Sequence, residues 1–154
     1  MNYIRQATID DLGRIAEMFV FNYRLNFYPI FQEDTFYFEE LTVSNLIESF
    51  AKELDNILVY DDGVVKGFIQ IEKREVKRLF VEPVLQEKAI GAELLEYGIA
   101  EKDANYLWVL EKNIKAIAFY KRHGFNTTNE KKYEEDTIEF LVRMERQLPV
   151  CRTK

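Results

Sequence analysis

Apolar and polar positions recur along this chain with two different periods, and the switches between them mark its elements. Tyr3–Gln6 reads as a short first strand. Thr8-Ile9-Asp10-Asp11 resembles a capping box with Asp in place of Glu, and the residues after it put Leu12, Ile15, Ala16 and Phe19 on one helical face. A second helix is predicted from Val43 to Leu54, with Leu46, Ile47, Phe50 and Leu54 facing inward. Ile57–Tyr60 and Val64–Glu72 flank Asp61-Asp62-Gly63, a strong hairpin signal, and Lys73-Arg74 forms a second tight turn into Glu75–Val81. The middle of the chain is therefore an antiparallel meander. A helix carrying Ile90, Leu94 and Ile99 ends near Lys102, and Tyr106–Leu110 is a short buried strand. Asn113 fits the N-cap of a helix that stops at Gly124, which suits the left-handed position after a C-terminus. Phe125–Thr128 and Thr137–Arg146 close the chain as strands. In the last, Ile138, Phe140, Val142 and Met144 alternate with Thr137, Glu139, Leu141, Arg143 and Glu145 to give one apolar face. The sum is an α/β (α+β) fold, a mixed, mostly antiparallel sheet of about seven strands flanked by about four helices.

Composition narrows the class. A length of 154 residues predicts one domain, residues 1–148, followed by a short polar tail, 149–154. Apolar content of 47% is ordinary for a globular protein. No segment approaches the roughly 18 uninterrupted apolar residues of a membrane span. Met1–Arg5 lacks an apolar stretch after a basic start, which argues against a signal peptide. A lone cysteine, Cys151, cannot form an internal disulfide and fits a reducing cytoplasm. The net charge of −6 argues against nucleic acid as the main partner and is compatible with a cationic substrate. A single His beside that cysteine leaves no metal cluster of the usual spacing.

The most telling stretch runs from Leu79 to Leu95. An apolar strand ends at Glu82-Pro83, a short polar loop follows, and an amphipathic helix opens at Ile90. That order sets free backbone N–H groups and the positive end of a helix dipole beside a strand end, a site suited to a phosphate. Glu87 in the loop works against an anion unless it points to solvent, and Lys88 partly offsets it. The loop lacks the Gly-Lys-Ser/Thr ending that holds phosphate and magnesium in nucleotide-binding loops.

From Ile4 to about Arg146 the order of elements resembles the GCN5-related N-acetyltransferase (GNAT) family. Three local signals carry the resemblance. The loop Gln86-Glu87-Lys88-Ala89-Ile90-Gly91 is similar to the family pattern of Gln or Arg, two residues, Gly, one residue, then Gly or Ala. Ala89 replaces the middle glycine, a departure the backbone tolerates at negative φ. Glu75–Pro83 resembles the family's fourth strand, and Asn113 to Phe125 carries its Asn, Ala, aromatic-Tyr and Gly-Phe arrangement.

The resemblance implies an acetyl-CoA-dependent N-acetyltransferase. Leu79, Phe80 and Val81 would hydrogen-bond the pantetheine arm, and a bulge in their strand would aim an N–H at the thioester oxygen. Gln86, Glu87, Lys88, Ala89, Ile90, Gly91 and Ala92 would cradle the diphosphate, and Asn113 would contact the cofactor arm besides capping its helix.

Moving acetyl from a thioester to an amine needs a neutral amine, stabilisation of a tetrahedral oxyanion and a proton for the departing thiolate. Tyr120 is the candidate acid, although Phe119 and Tyr120 also fit a core-facing helix stripe. Glu75 is the candidate base, directly or through water, although it also fits a solvated strand-end carboxylate paired with Lys73 or Lys77; Glu72, across the turn, is the fallback. His123 reads as a surface residue favourable to the helix dipole. No Cys or Ser stands near the motif as a nucleophile, so direct transfer in a ternary complex is expected.

The resemblance makes the aromatic-rich region from Phe19 to Phe50 one wall of the acceptor site, with Phe27, Tyr28 and Phe31 as candidate contacts. Glu33, Asp34, Glu39 and Glu40 are interleaved there, which suits an amine on an apolar or sugar-like body. Part of that region also fits plain helix-packing core. Glu130–Asp136 is expected as an exposed loop, a second rim of the acceptor site or a homodimer contact. A small-molecule amine is the expected acceptor. The alternatives are a protein lysine or N-terminus, or an acyl-CoA-binding sensor with little turnover. Trp108 stands where relatives that acetylate peptide N-termini often carry Glu, which argues against an N-terminal acceptor.

Overall fold

Seven strands form one sheet in the order β1-β2-β3-β4-β5-β7-β6 in the computed structural model, which describes residues 2–86 and 88–147. They are β1 (Ile4–Gln6), β2 (Ile57–Asp61), β3 (Val65–Glu72), β4 (Glu75–Val81), β5 (Tyr106–Leu110), β6 (Phe125–Tyr133) and β7 (Phe140–Arg146). Every neighbouring pair is antiparallel except β4 and β5, which run parallel. The helices are α1 (Leu12–Asn26), α2 (Tyr28–Phe31), α3 (Val43–Ala51), α4 (Ile90–Lys102) and α5 (Ile114–Arg122). The one beyond expectation is α2, four residues long with Pro29 near its start.

Helices cover both faces of the sheet. Ile69, Ile71, Leu94, Leu95, Leu107, Phe125 and Met144 form the core under α4 and α5. Ile15, Met18, Phe19, Phe50, Ile57 and Phe68 form the core under α1 and α3. Strand alternation explains the split, because Phe68 and Ile69 are adjacent and must point to opposite faces. Thr8 and Asp11 form the expected reciprocal cap, with the Thr8 N–H donating to Asp11 Oδ2 at 2.8 Å. Arg5 donates to both Asp11 oxygens, at 2.8 and 2.9 Å, tying β1 to the start of α1. That guanidinium, helped by the Thr8 N–H, holds the Asp11 carboxyl below the usual carboxylate range.

Several expected boundaries are corrected. The second helix stops at Ala51, and Leu54 belongs to a separate turn of 3-10 helix, Leu54–Asn56. Ile47 faces outward at 36% exposure rather than into the core. Val64 lies in the hairpin turn, and β3 starts at Val65. Strand β6 runs on to Tyr133, so Glu130–Tyr133 is strand rather than loop and only Glu134–Asp136 of that segment turns. Strand β7 begins at Phe140, leaving Ile138 in the turn at 87% exposure, outside the apolar face predicted for it. The tail 149–154 with Cys151 lies outside the described residues. No helix among the described residues is long and apolar enough to cross a membrane.

Candidate active site

Strands β4 and β5 pair only at Glu75 with Tyr106 and Val76 with Leu107, and then part. Strand β4 stays on β3 all the way to Val81. Its other edge, from Lys77 to Val81, therefore faces a wedge with no strand beside it among the described residues. The register against β3 slips between Gln70 and Ile71, leaving Lys77 as the extra residue on β4. A bulge of this kind bends and twists its strand, which suits the place where β4 leaves β5. A cleft of about 1080 Å³ fills the wedge.

Of the cofactor residues expected from sequence, Leu79, Phe80, Val81, Gln86, Gly91, Asn113 and Tyr120 all line this cleft. Asn113 also caps α5, accepting from the Ala116 N–H at 3.2 Å. The first backbone bond of α4 runs from the Glu93 N–H to Ala89 O at 3.0 Å, so the N–H groups of Ile90, Gly91 and Ala92 precede the helical ladder. The Ile90 side chain is buried in the core and that of Lys88 is exposed. Of the loop cradle, Ile90 can thus contribute through its backbone. Glu87 lies outside the described residues. Ala89 departs from expectation: its φ is +65°, not negative, because the loop must reverse immediately before α4. An L-residue in that conformation costs about 1 kcal/mol relative to glycine.

These features fit an acyl thioester of coenzyme A. An amide chain can pair with the open edge of β4, and orphan N–H groups at the start of α4 can receive a diphosphate. Tyr120 is half-buried, with its ring centre 5.3 Å from that of Phe119 and 5.8 Å from that of Phe125. Burial pushes its phenol well above the ordinary value, so it keeps its proton across the neutral range. Glu75 lines the cleft at the closed end of the wedge, 18% exposed and 3.8 Å from Lys77 Nζ. Glu72 lies 4.0 Å from the same Nζ, is 44% exposed and is not among the cleft residues. His123 pairs with Glu96 at 2.7 Å, linking α5 to α4 away from the chemistry.

The acceptor end is aromatic and acidic. Phe27 and Phe31, one helical turn apart, line the cleft, and Tyr28 does not. The Tyr28 hydroxyl donates to Asp34 while its ring packs on Tyr37 and Phe38, a correction to its expected contact role. Tyr23, Tyr37, Glu33 and Glu134 also face the cleft. Burial pushes the Tyr37 phenol up to about 12, with Tyr23 and the charges of Glu33 and Glu134 adding to the rise. Glu134, from the β6–β7 turn, thus acts electrostatically across the cleft on a residue of the opposite wall. Trp108 carries Lys132 Nζ 4.3 Å from its ring centre. Arg78 reaches the cleft too, but its guanidinium lies 5.1 and 5.2 Å from the ring centres of Phe19 and Phe50, donates to Gln70 at 2.6 Å and pairs with Glu53 at 3.2 Å. Its charge is met by the protein itself. Asn22 and Arg78 are cleft residues that the sequence reading missed; the one signal for Asn22 is a polar side chain within an otherwise apolar run, and Arg78 has none.

A family model described as an acetyltransferase (GNAT) domain matches residues 27–148. The chain belongs to the GNAT family. Among curated relatives of this GNAT chain, a spermidine N(1)-acetyltransferase of Thermoplasma acidophilum is 25% identical over 85% of the chain and 97% of the relative. The peptidyl-lysine N-acetyltransferase YiaC of Escherichia coli is 31% identical, over 51% of the chain and 55% of its own length. The chain thus spans about half the length of the peptidyl-lysine acetyltransferases it matches. The PaiA N-acetyltransferase of Thermoplasma acidophilum, solved in complex with coenzyme A, shares the fold with a TM-score of 0.66 and 23% identity over 92% of this chain and 97% of that one.

Proposed function

We propose that this GNAT protein transfers acetyl from acetyl-CoA to a primary amine of a small acceptor, by direct attack in a ternary complex. One observation carries the reading: β4 and β5 part after two residue pairs, and Glu75 and Tyr120 both lie on the walls of the opening. Bound there, acetyl-CoA supplies an activated acyl carbon. Glu75, directly or through water, takes the proton that leaves the attacking amine. Backbone N–H groups on the open edge of β4 receive the oxyanion as the C–N bond forms. Tyr120 gives its phenolic proton to the sulfur as the C–S bond breaks, and takes one back from water afterwards.

The acceptor end supports an amine with a second cationic centre. Glu33 and Glu134, from opposite sides, meet an aromatic floor that includes Tyr23 and Tyr37, and the guanidinium of Arg78 on β4 already has its partners in Gln70 and Glu53. A polyamine of the spermidine class fits these charges, and the relative matched over nearly its whole length carries that activity in its name. An amine panel read by coenzyme A release tests this. Turnover on di- and triamines well above that on monoamines and lysine peptides is the expected result. Preference for a lysine peptide would move the acceptor to proteins. Acetyl-CoA binding without release on any amine would make the protein a sensor.

A further inference from the structure

Asn22 is an anomaly of α1. It sits at 1% exposure on the face that otherwise buries Ile15, Met18 and Phe19, and Asn is a poor helix former. Its side chain is nevertheless fully used. The amide nitrogen donates to Met18 O at 2.8 Å and to Val81 O at 2.9 Å, and the amide oxygen accepts from Gln86 Nε2 at 2.7 Å. One buried amide therefore joins α1, the last residue of β4 and the first residue of the loop before α4. The same loop holds Ala89 in the left-handed region, a conformation that persists only when its surroundings over-determine it. Helix α4 fixes the loop on one side of Ala89. On the other side, the Gln86 side chain is held by Asn22.

We infer that Asn22 is a positioning residue for the coenzyme A loop: its amide latches Gln86 to the end of β4 and so holds the N–H groups before α4 in their receiving geometry. The inference rests on the acetyltransferase reading above. Asn22 acts on the cofactor through Gln86 and the Val81 carbonyl and has no part in proton transfer.

The test measures coenzyme A binding by calorimetry, together with steady-state kinetics, on the full chain carrying Asn22→Leu, Gln86→Met or both. Leu keeps the branching of Asn and removes all three hydrogen bonds. Each single variant is expected to weaken coenzyme A by about tenfold and to raise KM for acetyl-CoA by a similar factor. For Asn22→Leu the acceptor KM and kcat should stay within about twofold. The double variant should lose clearly less than the sum of the single effects, because both remove the Asn22–Gln86 bond. A role confined to packing would lower Tm and leave the acetyl-CoA KM unmoved, and that result, or fully additive losses, overturns the inference. If Asn22→Leu does not fold, hydrogen exchange of the free Gln86→Met protein decides. Faster exchange at the amides of Lys88–Gly91 supports the latch, and unchanged exchange overturns it. Wild-type protein that binds no coenzyme A would instead overturn the acetyltransferase reading itself.

Discussion

Along β4, α4 and α5 the cleft offers backbone groups: a strand edge with no strand beside it among the described residues, the orphan N–H groups before a helical ladder, and a helix capped by Asn113 that carries Tyr120 in its last turn. Between Tyr23 and Glu40 it is walled by side chains, with Phe27, Phe31 and Tyr37 turned in while Tyr28 and Phe38 are turned away. Backbone walls offer the same donors and acceptors to any chain of amides, so they suit a co-substrate that does not vary. Side-chain walls change character with each substitution, so they suit the partner that gives one acetyltransferase its specificity. The comparison predicts that damage to the first wall falls on cofactor and chemistry, and damage to the second on the acceptor.

The largest effect should come from Tyr120→Phe. Removing the only phenol on α5 should lower kcat by about 10²–10⁴ while coenzyme A binding, read by calorimetry, stays near wild type. Loss of binding together with turnover would place Tyr120 in the core rather than in the chemistry. At the acceptor end, Glu134→Gln, in the β6–β7 turn that faces Tyr37, is expected to raise KM for a triamine by about fivefold to tenfold and to leave KM for acetyl-CoA unchanged. An equal rise for both substrates would dissolve the distinction between the walls.

Smaller effects check the frame that holds the walls. Asp11 has its pKa lowered by Arg5 and the Thr8 N–H, so the folded state favours the carboxylate. Its contribution to stability is present above the unfolded value near 4 and is lost as pH falls through the lower folded one. Asp11→Asn should cost about 1–3 kcal/mol at pH 7 in a denaturant melt, and less at pH 3, where the wild type has begun to lose the same interaction. Ala89→Gly should raise Tm by about 2–4 °C by relieving the left-handed conformation of that residue. A fall in Tm would mean that the loop does not hold that conformation in solution.

Where local chemistry dictates structure, the chain could be read directly. Asp61-Asp62-Gly63 turned as its composition demands, with the Gly63 N–H donating to Asp61 Oδ1 at 2.9 Å and Gly63 at φ +116°. Asn113 capped α5, Gly124 took φ +90° after it, and the strand-loop-helix unit at Leu79–Leu95 formed as expected. The sign of φ at Ala89 was misread because an alanine stands where the family pattern carries glycine, the residue that marks a left-handed position. The other errors lie where neighbours distant in sequence decide. Ile47 faces solvent from within α3, whose packed side is Val43, Leu46 and Phe50, and Ile138 does so because β7 starts late. Strand β6 runs on past Thr128 because β7 offers partners at Lys131, Lys132 and Tyr133. Asn22 was missed because an apolar stripe with one polar residue looks like imperfect amphipathicity until Val81 and Gln86 are seen against it.

Backbone amide signals of the labelled protein, titrated with coenzyme A, test the open edge of β4 most directly. The account predicts large, saturable shifts at Leu79, Val81 and Gly91, with Ile69 and Phe68 on the neighbouring strand little moved. Saturable binding that shifts only the amides around Phe27 and Tyr37, with the β4 edge unperturbed, would contradict it.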